Sequence, residues 1–122
     1  MPIDVTFEDP RTFVLCAEGD VTADESQAAL RTLIVHERFG PGVLILADAR
    51  TVTGAPPADE MRGIARGLVP LVDSGLSAMA IVTDSQLIYG MARMFSTFAD
   101  SSGAKVSVFR AMDEARAWLA ER

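Results

Sequence analysis

The chain has 122 residues, 49% hydrophobic and 23% charged, with 17 acidic against 11 basic side chains and a formal charge of −6. That length is one domain's worth and buries roughly two-thirds of the unfolded surface, so the core needs no metal or disulfide, and Cys16 has no second cysteine to join. A single lysine, Lys105, and scattered arginines exclude the concentrated positive charge of a nucleic-acid groove or an anionic membrane surface, and no apolar run approaches the roughly 20 residues of a spanning helix.

The start, MPIDVTFED, has neither the basic nor the apolar segment of a secretory signal, and a cytoplasmic location is the expectation. Ile3, Val5 and Phe7 alternate with Asp4, Thr6 and Glu8, the period of a strand with one wet face. Asp9-Pro10-Arg11 turns the chain into a second strand, Phe13 to Ala17, which is apolar throughout and belongs further inside the sheet. Thr22 with Glu25 fits a capping box, and Leu30, Leu33 and Ile34 share one face of a helix expected from Ala23 to Arg38, stopped by Gly40-Pro41-Gly42.

Five apolar residues, Val43 to Ala47, then read as a strand buried on both faces, emptying into a polar loop from Asp48 to Thr53. Pro56 and Pro57 lead into a second helix carrying Asp59 and Glu60 in its first turn and Met61, Ile64, Ala65, Leu68, Leu71 and Val72 at helical spacing. Pro70 requires that helix to kink or finish there. Ala78 to Thr83 is another two-sided strand. Asp84 is placed to cap a third helix, whose wide apolar stripe includes Leu87, Ile88, Met91, Met94, Phe95 and Phe98. Lys105 to Phe109 alternates as a last strand, and Met112, Ala115, Trp118 and Leu119 form the inner face of a closing helix. The order is ββαβαβαβα. Strands joined by single helices run parallel with right-handed crossovers, which predicts an α/β domain of five strands, mostly parallel with an antiparallel edge strand, and four helices.

That order, with the stretch LILADARTVTG, the helix YGMARMFSTFA followed by SSGAKVSVFR, and the ending DEARAWL, resembles the bacterial SpoIIAA-like family, part of the STAS fold group of anti-sigma factor antagonists and related in fold to CRAL-TRIO lipid-binding domains. The resemblance implies one domain over the whole chain, strands mostly in sequential order and helices mainly on one face. In the better-known antagonists a serine at the start of the helix after the central strand is phosphorylated. Here that region is Ala55-Pro56-Pro57-Ala58, so the serine is absent, and Thr51 or Thr53 is the nearest hydroxyl to take its place.

In open α/β sheets, ligands and partners bind outside the carboxyl ends of the strands. This singles out a rim of Asp48, Arg50, Thr51, Thr53, Asp84 and Arg110. Asp48 and Asp84 lie at neighbouring strand mouths, where two carboxylates can hold a cation or act as acid and base, or else can pair with Arg50 and cap a helix. No Ser/His/Asp set or multi-histidine site forms around the single His36, expected on the solvent side near a helix end. Cys16, in an apolar run, reads as inert packing. Neither a phosphate loop nor a dinucleotide turn is present. A non-enzyme without metal or cofactor is therefore expected. Helices on one face would leave the other face of the inner strands apolar, to be covered by a protein partner, a second copy or an apolar ligand. The leading expectation is a binding module that docks a protein partner or a second copy through the sheet and rim. The alternative is a carrier or sensor of a small apolar, lipid-like molecule held between the third helix and the sheet, in a pocket involving Tyr89, Met91 and Met94. Gly90 in that helix would allow close approach.

Overall fold

The computed structural model describes residues 3–8 and 10–122; the N-terminal Met1-Pro2 and Asp9 of the expected turn lie outside them. The elements are β1 (Ile3–Glu8), β2 (Thr12–Asp20), α1 (Ala23–Ile34), β3 (Leu44–Gly54), α2 (Ala58–Arg66), α3 (Val69–Asp73), β4 (Ala78–Val82), α4 (Gln86–Asp100), β5 (Val106–Phe109) and α5 (Met112–Ala120). The five strands form one sheet in the order β1-β2-β3-β4-β5. β1 pairs antiparallel with β2 and every other pair is parallel, as the helical connections demand. β3 is central, and Val43 to Leu46 are buried.

The local signals act as their chemistry requires. The Thr22 side chain accepts from the Glu25 amide while Glu25 accepts from the Thr22 amide, the reciprocal box that starts α1. α1 stops at Ile34, four residues before the expected Arg38, and His36 and Phe39 continue in single turns bonded to Leu33 and His36. The expected second helix is two: α2 ends at Arg66 and α3 starts at Val69 with Pro70 in its first turn, the position where a missing amide costs nothing. Gly75 (φ +114°) bonds through its carbonyl to the Gly42 amide, and a Cβ there would overlap Pro41. Only glycine lets these two turns meet.

The helices divide between the two faces. α1 to α4 cover one, where Phe13, Leu15, Ile45, Met79, Ile81 and Val108 meet Leu30, Leu33, Ile64, Leu71 and Ala99. Among the described residues α5 alone covers the other: Ala115 and Leu119, flanked by Trp118, lie on Val14, Leu44, Leu46, Ala78, Ala80 and Val82. The apolar second face expected to await a partner is thus closed by the chain's own last helix. Arg11 fastens this helix by donating to the carbonyls of Gly42 and Arg122, each at 2.8 Å.

Candidate functional site

The polar rim is built on a strand rather than a loop. β3 does not end at Ala47 but continues to Gly54, because β2 is also long and pairs with it up to Asp20↔Gly54. Between Cys16↔Asp48 and Glu18↔Thr51 the register slips, so that Ala17 faces both Ala49 and Arg50. This bulge sets the side chains. Before it, odd-numbered Ala47 and Ala49 face α1 to α4; after it, even-numbered Val52 joins them, packed with Val21 and Ile88. Asp48 alternates to the face that α5 covers further down.

There Arg50 clasps Asp48 with two parallel bonds, Nε to Oδ1 at 2.9 Å and Nη2 to Oδ2 at 2.8 Å, and adds its backbone N–H to Oδ1 at 3.1 Å. These bonds hold the Asp48 carboxyl below the usual carboxylate range, chiefly through the Arg50 side chain. The charge of Asp84 also reaches Arg50. The Thr51 hydroxyl donates to the Ala17 carbonyl at 3.2 Å, and Thr53 is exposed. Asp84 is exposed in the β4–α4 turn and does not cap α4. That position belongs to Ser85, whose hydroxyl accepts from the Ile88 amide at 3.3 Å. The Arg110 guanidinium stacks over the Tyr89 ring at 4.0 Å. Asp48, Arg50, Thr51 and Arg110 are therefore engaged in local contacts, while Thr53 and Asp84 are exposed, and among the described residues no three His, Cys, Asp or Glu side chains group as a metal would require.

Two further residues depart from expectation. Cys16 is exposed, not packed, since β2 lies beyond the reach of α5 at this level, and desolvation pushes its thiol upward with help from Asp48 and Asp4. His36 is half-buried against the rings of Phe7 and Phe13 rather than on a helix's solvent side, and its Nδ1 accepts from the Arg38 amide at 3.0 Å.

The site that does open lies on the other face of the same strands. A cavity of about 170 Å³ sits between the sheet and helices α1, α2 and α4. Its origin is legible in the rows of side chains across the sheet. Near the amino ends of the parallel strands the row is Phe7, Phe13, Ile45, Met79 and Val106; the next is Val5, Leu15, Ala47, Ile81 and Val108; the last is Ile3, Ala17 and Ala49. Alanine at 17, 47 and 49 leaves the floor low, and Ala29 on α1 and Ala92 on α4 leave the roof high. Val52, Ile88 and Met91 complete the wall. Of the three residues expected in an apolar pocket, Met91 lines the cavity, Tyr89 lies under Arg110, and Met94 is half-buried on α4 outside the lining. Gly90 is exposed, with open space where a Cβ would be. A second hollow, about 230 Å³ between β1 and α1, is edged by Asp24 and Glu25.

Sequence and structure comparisons agree with this architecture. The family model described as SpoIIAA-like matches residues 12–120. The chain belongs to the SpoIIAA-like family. Among solved structures it is similar to an uncharacterised protein with a SpoIIAA-like fold from Shewanella loihica PV-4, at 15% identity and a TM-score of 0.62, covering 96% of this chain and 91% of that one. No curated protein sequence matches the chain. The SpoIIAA-like fold supports a binding or regulatory module in general. Among the described residues no helix is long and apolar enough to cross a membrane.

Proposed function

We propose that this protein is a non-catalytic module that carries or senses a small apolar molecule held between the sheet and α4. The observation that carries this reading is the cavity above Ala17, Ala47 and Ala49, whose walls among the described residues are apolar apart from Ser26 and Asp48. Pockets for small molecules are concave and mostly apolar, and in open α/β sheets they gather at the carboxyl ends of strands, where this one lies.

Docking of a protein partner or a second copy through the sheet has less support. The apolar surface that motivated it is covered by α5, and the Asp48 carboxylate is already satisfied by Arg50. Phosphorylation at Thr51 is disfavoured by the same geometry, since its hydroxyl is committed to a strand carbonyl.

Native mass spectrometry of the protein purified gently from its host tests the carrier reading. An added mass that an organic extraction removes is the expected result. A clean apo mass under conditions that retain ligands in a known carrier would overturn it.

A further inference from the structure

Resting on the reading of this cavity as a ligand site, we infer that it selects an uncharged ring or short hydrocarbon group of about six to ten non-hydrogen atoms, and that Ala47 sets the size limit.

The volume gives the scale. An apolar cavity of about 150 Å³ stays dry and accepts benzene, and this one is about 170 Å³. A long acyl chain does not fit wholly within that space.

The lining gives the charge. Among the described residues only two polar ones touch the cavity, Ser26 and Asp48. The Ser26 hydroxyl donates to the Thr22 carbonyl at 3.1 Å. Alternation along β3 turns the Asp48 side chain to the opposite face, where Arg50 holds it. Among the described residues no cationic side chain lines the wall. A carboxylate or ammonium carried inside would shed its hydration and meet no counter-ion, so the buried part of the ligand is neutral. A chain of net charge −6 further disfavours an anion.

The register gives the residue. Ala47 stands on the central strand between Leu15 of β2 and Ile81 of β4, and all three line the cavity. Its row would be filled by a third large aliphatic side chain, and the methyl group in that place is what leaves the void open. A leucine at 47 projects into the cavity rather than into packed neighbours, so it occupies the ligand's space while leaving the surrounding core in place.

The test titrates indole and octanoate, a neutral and a charged probe of similar size, into the full chain at neutral pH, followed by amide chemical shifts of the wild type, Ala47→Leu and Ala47→Val. The inference expects indole to shift amides of β3 and α4, octanoate to bind roughly tenfold or more weakly, Ala47→Leu to lose indole by roughly tenfold or more, and Ala47→Val to fall between. Thermal melting accompanies each variant, and filling a true void leaves the melting temperature of Ala47→Leu no lower than wild type. Octanoate binding as tightly as indole, or Ala47→Leu binding indole like the wild type, overturns the inference while leaving the cavity a ligand site. Failure of both probes on the wild type overturns the ligand site itself. Should Ala47→Leu not fold, the site is already packed and the inference fails, unless Ala47→Val folds and weakens indole, which sustains it.

Discussion

The two ends of one sheet face differ more than the two faces do. At the amino ends of the parallel strands, Phe7, Phe13, Ile45 and Met79 fill the space beneath the helices, and His36 and Phe39 seal its margin. At the carboxyl ends the same strands carry Ala17, Ala47 and Ala49 under helices that are still held apart, and the result is a cavity. One scaffold therefore makes core or pocket according to side-chain volume alone, because helix spacing is set by the well-filled end and the other end cannot collapse independently.

The strongest way to break this comparison is to invert it. Phe13 is fully buried at the filled end. Phe13→Ala is expected to cost about 3–5 kcal/mol in denaturant unfolding, whereas Ala17→Val at the other end is expected to cost nothing or to gain slightly, since it adds a β-favouring side chain over empty space. A comparable loss at both positions would show that the alanine end is packed. The opposite face supplies the control: Ala115 is fully buried between α5 and the sheet and lines neither of the two hollows described above. Ala115→Leu should therefore destabilise by about 1–3 kcal/mol through overpacking, read as a lowered denaturation midpoint.

A smaller effect is expected on the helix that roofs the cavity. Gly90 lies within α4, exposed, with nothing near its missing Cβ. Gly90→Ala should stabilise by about 0.5–1 kcal/mol in the same assay; a loss would mean that α4 needs backbone freedom at this point. The smallest effect concerns the ion-paired rim. Because Arg50 lowers the Asp48 carboxyl in the folded state, its contribution is present above the ordinary carboxylate range and is lost as pH falls through the lowered value. Melting temperatures of wild type and Asp48→Asn should accordingly differ near neutrality and converge in acid. A gap that widens in acid would contradict the pairing.

Much of the architecture was legible from spacing and caps. The alternation of Ile3 to Glu8, the Thr22–Glu25 box and the apolar run at Val43 specify their elements locally, and single helices between strands force the parallel order. The rim was not, because a polar sequence after a buried strand reads equally as loop or as strand when the partner's length is unknown; here nine-residue β2 supplies that partner. Nor could the bulge at Ala49–Arg50 be seen, and it alone brings Val52 to the cavity. The closing helix was visible as amphipathic, but periodicity does not say which face of a sheet it will cover. The cavity's signal in the sequence is the set of alanines at 17, 47 and 49 on strands whose other inward residues are large.

Crystals pressurised with xenon offer the most direct measurement, since xenon enters dry apolar cavities without needing a hydrogen-bond partner. The account expects xenon density bounded by Leu15, Ala47, Ile81, Ile88 and Ala92, absent from crystals of Ala47→Leu. Wild-type crystals with no xenon there, their side chains closed over the alanine floor, would contradict it.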